Sequence, residues 1–313
     1  MLPESTDIKK NGANLTAIIP IAQIDGQANM LEDILSQSSN SNINIVLVHD
    51  IKNVDNSPII KKIYDKYSGK NDRYIEGYYG NAGQARNAGF QLCKTEWVCF
   101  WDSDDQVYVS KFIDMVEQAK ELNCEITMGL ISVKSKNNST PPCMSEKLVK
   151  NVLFDLQIAN FPAFTRMAFL TSLIKKPPFI DIIIGEDLIF LLSLNLPNRR
   201  IYLSKSEVYR YFIGSKNQTT SNYNIDNMYE LLLEILESLE KKQFASKRMA
   251  IAMLNKIFIR IIKSDSKWFL NKNKISTFKR VILTNFKHLF KFIVSSVYLI
   301  SNRPKIIKVI HES

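Results

Sequence analysis

Gly80-Asn81-Ala82-Gly83-Gln84-Ala85-Arg86-Asn87-Ala88-Gly89, followed by Trp97-Val98-Cys99-Phe100-Trp101-Asp102-Ser103-Asp104-Asp105, is the stretch on which the fold turns. A Gly/Asn-rich segment at 80–83 leads into a helix expected over 84–93. A short apolar run over 96–101 then ends in three carboxylates. Its length and the turn residues around it make that run a buried strand. A strand ending in Asp-Ser-Asp-Asp sets hard oxygen ligands at the carboxyl edge of a sheet, where open α/β sheets bind ligands. Carboxylates of this kind suit Mg2+ or Mn2+ carrying a substrate diphosphate.

Working outward, the same alternation continues upstream. Leu15–Pro20 reads as a first buried strand ended by Pro20. Met30, Ile34 and Leu35 stand at helical spacing within 27–39. Ile43–Asp50 is a second apolar strand that again ends in an acid. A helix over 57–68 opens with Ser57 as N-cap and Pro58 at its first position. Tyr74–Glu76 is a short third strand. This order implies a mainly parallel, doubly wound α/β sheet. Downstream, Ser110 is expected to cap an amphipathic helix over 111–122, and Glu125–Val133 is a strand. A polar loop over 134–145 contains Pro141-Pro142. Gly185-Glu186-Asp187 opens a helix, and Ile201–Leu203 and Val208–Ile213 read as two short strands. Helices are expected over 226–241, 244–263 and 275–300.

With 313 residues, 45% of them hydrophobic, the chain is long enough for one large domain and an appendage. The boundary is expected between residues 1–224 and 225–313. Its net charge of +10 is unevenly spread: 241–313 alone hold 17 Lys and Arg against 2 Asp and Glu. A basic tail on an acidic body points to an anionic surface as partner. The N-terminus lacks a basic stretch followed by an apolar one, so no secretory signal is expected. Cys93, Cys99, Cys124 and Cys143 match no zinc spacing and are expected to be reduced cytosolic thiols.

The ordered motifs resemble the family 2 glycosyltransferases, of GT-A fold, the inverting type that builds bacterial surface polysaccharides. The resemblance rests on Ile18-Ile19-Pro20, on Ile45–Asp50, on Asn81–Gly89, on Phe100–Asp105 and on Gly185-Glu186-Asp187, and it covers roughly 15–215. It implies a nucleotide-sugar donor, a UDP-sugar first of all, and a glycan or lipid-linked acceptor. Asp102 and Asp104 match the Asp-x-Asp motif, with Asp104 the direct ligand of Mn2+ or Mg2+ and Asp102 near the donor. Pro20, Asp50, Arg86 and Ser103 are expected beside the donor. Asp187 matches the general base and Glu186 an acceptor contact. Tyr209-Arg210-Tyr211 and Ser215 loosely match an aromatic and basic stretch that follows the base. The sequence departs from the family at Ile51-Lys52, at His49 and at Ile21-Ala22-Gln23. The residue types allow plainer roles too. Asp102–Asp105 could form a turn and a helix cap, Asp50 could hold a strand-end turn, Arg86 could pair with a strand-end acid, and Glu186-Asp187 could simply favour a helix N-terminus.

Over 280–300, Ile282, Leu283, Phe286, Leu289, Phe290, Ile293, Val297 and Ile300 share one helical face beside Arg280, Lys287 and Lys291. The apolar run Phe292–Ile300 falls short of the roughly 20 residues of a membrane span. The segment 275–300 is therefore expected to lie in an anionic membrane interface, peripheral on the inner face of the cell membrane. The alternative is a helix packed on the catalytic domain. Two other functions fit parts of the chain. A nucleic-acid-binding protein would need aromatic stacking residues on the basic surface, whereas the tail segregates its aromatics with aliphatics. A sugar nucleotidyltransferase would want a basic Gly-rich loop after the first strand, where Ile21–Gln27 carries no basic residue.

Overall fold

Leu15–Ile21 is buried along its whole length, as a strand covered on both faces must be. This strand, β1, is the axis of the molecule. A computed structural model describes residues 14–22, 28–51, 57–135, 139–140, 163–175, 177–213, 224–241, 243–244, 246–264 and 274–285. The chain runs from β1 through α1 (Ala28–Ser39), β2 (Asn44–Asp50), α2 (Ser57–Tyr67), β3 (Arg73–Gly77), α3 (Ala82–Gln91) and β4 (Trp97–Phe100). It continues through β5 (Gln106–Val107), α4 (Val109–Glu121), β6 (Ile126–Ser135), β7 (Ser139–Thr140), β8 (Met167–Leu170), α5 (Glu186–Ser193) and β9 (Ile201–Ile213). Three helices follow: α6 (Ile225–Glu240), α7 (Lys247–Ser264) and α8 (274–285).

Among the described residues these strands form one sheet in the order β3-β2-β1-β4-β8-β6-β9-β5, with β7 paired to β6. The first four strands are parallel; Ile18 stands opposite Val46 on one side and Phe100 on the other. Their carboxyl ends therefore share one edge. β8 runs antiparallel between β4 and β6, and β6 pairs in parallel with β9. The architecture is the expected α/β sheet of GT-A type flanked by helices.

Alternation along β1 splits the core in two. Ile18 joins Val46, Phe90, Phe100 and the aromatic side chains Phe164, Phe169, Phe179 and Phe190 under α3 and α5. Ala17 and Ile19 face Leu31, Ile34, Phe112 and Val116 of α1 and α4 on the other side. Leu231, Leu232 and Leu236 of α6 and Leu254 of α7 belong to the first cluster, so these helices close over the face that carries α3.

Several local expectations are corrected. β1 continues past Pro20, which pairs with Val48. Ser57 is already helical rather than a cap. α4 begins at Val109 and its N-cap, Tyr108, makes no side-chain capping bond, so Ser110 is not the cap. The strands expected at 201–203 and 208–213 are one strand, in which the polar Ser204–Glu207 stretch coincides with register shifts against β6. Part of the loop expected at 134–145 is the hairpin partner β7, and Cys143 lies outside the described residues. Cys93, Cys99 and Cys124 are buried free thiols. α8 packs on its predecessors: Tyr229 and Thr277 share a 2.9 Å hydrogen bond, Arg280 binds Glu240 at 2.7 Å, and Asn255 pairs with Asn285. Arg280 is thus turned to a protein carboxylate, while Ile282 and Leu283 stay exposed. The rest of the amphipathic segment, from Phe286, lies outside the described residues.

Candidate active site

β4 hands its chain to the turn 102–105 at the shared carboxyl edge. Trp101 closes the strand, its N–H donating to the Ile18 carbonyl at 3.1 Å and its ring packed edge-on against Phe112. The three acids then take different roles. Asp105 turns inward and is fully buried. It accepts the Tyr209 hydroxyl at 2.8 Å and the Phe212 N–H at 2.9 Å. The Tyr209 oxygen accepts the Asp102 N–H at 3.2 Å, so Asp105 and Tyr209 rivet the turn to β9. Burial, then the charges of Asp102 and Asp104, push the Asp105 carboxyl up to about 8. Asp102, Ser103 and Asp104 remain partly exposed at the edge. The bracing role of Asp105 escaped the sequence, where it reads as a third acid of the mouth. Its signal is the alternation of β9, which buries Tyr209 directly across from β5.

α3 is placed by the Gly/Asn motif. The left-handed turn before it falls on Gly80, with φ +82, and not on Asn81 or Gly83. Asn81 is the extended N-cap and its side chain accepts the Gln84 N–H at 2.8 Å. Gly89 lets the helix lie against the sheet: a Cβ there would come within 2.6 Å of Ile18 Cγ2 and 2.9 Å of Val48 Cγ2. This seating delivers Arg86, whose side chain is only 5% exposed, to the first core cluster's polar end. Its guanidinium donates to Asp102 at 2.7 Å and to Glu186 at 3.0 Å. The Phe164 and Phe179 rings lie 4.9 and 5.7 Å from its central carbon. Burial alone would lower its pKa, but Asp102 and Glu186 outweigh that and hold the charge more firmly.

The opposite wall is the N-terminus of α5. Gly185, with φ +83, turns the chain into the helix, and a Cβ there would meet Leu231 Cδ2 at 2.5 Å. Glu186 pairs with Arg86, and Asp187 accepts the N–H of Leu188 at 2.9 Å. Burial and the neighbouring Glu186 charge raise the Asp187 carboxyl to about 7, while Arg86 pulls the other way. The segment before it is tied to α3. Asn81 donates to Asp181 at 2.7 Å. Asn87 both donates to the Phe179 carbonyl at 2.7 Å and accepts the Phe179 N–H at 2.9 Å.

Arg86, Asp102, Glu186 and Asp187, more than eighty positions apart at the extremes, are thereby brought into one cluster beside Ser103 and Asp104. Pro20, one residue before the end of β1, and Asp50, the last residue of β2, lie on adjacent parallel strands at the same edge. Asp50 is buried and accepts the N–H groups of Tyr79 at 2.9 Å and Gly80 at 3.4 Å, so it holds the turn into α3. His49 is buried with Nδ1 3.0 Å from the Tyr74 hydroxyl. Arg210 binds Glu207 and Ser132. Gln23–Gln27 and Ser215 lie outside the described residues.

A divalent cation fits this edge in one manner. Among the described residues no three His, Cys, Asp or Glu side chains are grouped to hold a metal by themselves. Asp102 and Asp104 instead offer a few hard oxygens, the donor set of a Mg2+ or Mn2+ ion that takes its remaining ligands from substrate phosphates and water. The negative charge that drives up Asp105 is what such a cation would relieve.

Several known proteins are similar to this chain. Residues 28–177 match the family model for glycosyl transferase family 2. The poly(ribitol-phosphate) beta-N-acetylglucosaminyltransferase TarP of Staphylococcus aureus (strain N315) is 26% identical over 212 residues. That match covers 64% of this chain and 63% of TarP, so the chain spans less than two thirds of that relative. The structure of S. aureus TarS 1–349 with UDP-GlcNAc superposes with a TM-score of 0.57 at 19% identity, covering 87% of this chain and 79% of that one. The mannosyltransferase PcManGT from Pyrobaculum calidifontis, solved with GDP-Man and Mn2+, gives 0.55 at 11% identity, covering 94% and 82%. These structures share the fold.

Proposed function

We propose, from the family model matched by residues 28–177, that the chain is an inverting transferase of glycosyl transferase family 2. It moves a sugar from a UDP-sugar to a hydroxyl of a cell-surface glycan or polyol-phosphate polymer. The observation that carries the reading is the Arg86 bridge, which joins Asp102 at the donor edge to the Glu186-Asp187 wall. One side of the cleft is suited to a diphosphate and the other holds a carboxylate poised near neutrality, as a general base requires. TarP, whose name gives it an N-acetylglucosamine donor and a poly(ribitol-phosphate) acceptor, makes UDP-GlcNAc the first donor to try.

In this mechanism Asp187 accepts the acceptor hydroxyl proton as that oxygen attacks the anomeric carbon from the face opposite the diphosphate. Glu186, neutralised by Arg86, borders the acceptor and orients the start of α5. Asp50 and Pro20 border the donor nucleoside, and Ser103 lines the diphosphate. Bound through Asp104, with Asp102 beside it, a divalent cation would offset charge on the departing diphosphate. The basic C-terminal region supports a peripheral position on the inner face of the membrane; among the described residues no helix is long and apolar enough to cross it. The test is a screen of UDP-sugars with Mn2+ against ribitol-phosphate and glycan acceptors, with the product anomer read by NMR. Inversion with one UDP-sugar is the expected result. If no nucleotide-sugar is turned over or raises the melting temperature, the reading fails.

A further inference from the structure

Asn87 lies one residue beyond Arg86 on α3 and is 7% exposed. Its amide engages both backbone groups of one residue, Phe179, with bonds of 2.7 and 2.9 Å to that residue's carbonyl and N–H, and makes a longer 3.4 Å bond to Gln84 Oε1. This is the pairing a neighbouring strand would make, supplied by a side chain. Phe179 is itself buried and packs edge-on against Phe100 at 5.0 Å. Two further contacts fasten the same segment to the same helix: Asn81 to Asp181 at 2.7 Å and Arg86 to Glu186 at 3.0 Å. At Gly83 the fit is tight, for a Cβ there would reach Glu186 Cγ at 3.0 Å and Phe179 Cβ at 3.3 Å. Among the described residues no strand pairing holds 179–185.

We propose that Asn87 is a positioning residue for Asp187: it clamps the 179–187 segment to α3, so that the helix carrying the donor-side arginine also fixes where the base stands. The assignment rests on the glycosyl-transfer reading for the role of Asp187, but the clamp itself is independent of it. A buried amide whose two partners are backbone groups cannot be replaced by an apolar side chain without leaving both orphaned. Asn87→Asp keeps the shape and the acceptor for the Phe179 N–H, and sets a carboxylate oxygen against the Phe179 carbonyl.

The experiment compares wild type, Asn87→Asp and Asp181→Ala, the last cutting an exposed tie that does not enter the core. Turnover, donor KM and amide hydrogen exchange of peptides covering 179–188 are measured together. The expected result is at least tenfold faster exchange in 179–188 for Asn87→Asp with α4 unchanged. Turnover should fall about tenfold or more at an unaltered donor KM, a misplacement of about 1 Å costing up to about 100-fold. Asp181→Ala should show the same split at a few-fold size. Unchanged exchange in both variants overturns the clamp. Faster exchange with unchanged turnover overturns the positioning role. Loss of both KM and turnover in step with melting temperature shows a structural residue only and also overturns it. A wild type that transfers no sugar sinks the functional reading instead, and the exchange data still decide the clamp.

Discussion

Asp187 is held at odds with its ionised form, and two consequences separate at this one residue. In the proposed role of base it must be deprotonated, so kcat/KM should rise with pH through about 7 and level off above. Asp187→Asn should lower turnover by roughly 10²- to 10⁴-fold, in the range of general-base loss. For stability the sign runs the other way. A carboxyl raised from 3.8 to about 7 stabilises the fold fully below its unfolded pKa and loses that contribution as pH climbs through the folded one. Asp187→Asn should therefore match wild type in thermal melts near pH 3, gain on it between about pH 4 and 7, and keep that gain above. Arg86 is the other residue whose loss is specific. Lysine has one ammonium and cannot span Asp102 and Glu186 as a planar fork does. Arg86→Lys should leave one acid uncompensated and weaken the fold by about 1–3 kcal/mol in urea unfolding. Because Arg86 pulls the Asp187 pKa down, any loosening of that pull should also move the acid limb of the rate profile to higher pH.

At the level of elements, α3 is a part whose seating everything else depends on. Gly89 lies against two β-branched side chains held in the sheet, which have nowhere to retreat. Gly89→Ala should cost about 1–3 kcal/mol by overpacking, read as a lower urea midpoint with unchanged slope. The parallel half of the sheet was legible because β1, β2 and β4 are apolar runs, and helices with apolar residues at helical spacing follow β1 and β2. β9 was not, because Ser204-Lys205-Ser206-Glu207 interrupts its apolar pattern although the backbone pairing continues. β8 was invisible for another reason: four residues, Met167–Leu170, inserted antiparallel between distant partners leave no local period to detect. The site divided along the same line. Arg86, Asp102 and Asp187 stand in recognisable motifs, whereas Asp105, Tyr209 and the Asn87–Phe179 pair act through contacts made only after the chain has folded.

Over the whole molecule, charge is sorted by position along the chain. The C-terminal region begins with helices that close over the α3 face, the first of them acidic and the basic charge following from 241, and α8 uses Thr277 and Arg280 to dock while Ile282 and Leu283 are exposed. The exposed pair continues the apolar face read across 282–300. Vesicle flotation with anionic lipid should recover the full chain, and removal of 286–313 should abolish recovery; equal flotation of both would place the membrane contact elsewhere. One further property follows from the bridge at the cleft. Arg86 is already committed to Asp102 and Glu186, Asp187 stands close to it, and Asp104 adds its charge beside Asp105. A bare nucleotide diffusing toward this edge meets a field of its own sign, so its capture should quicken as ionic strength rises. The usual slowing of an anion by added electrolyte is reversed here, which makes the doorway itself discriminate between a naked nucleotide and a charge-compensated one before any contact forms.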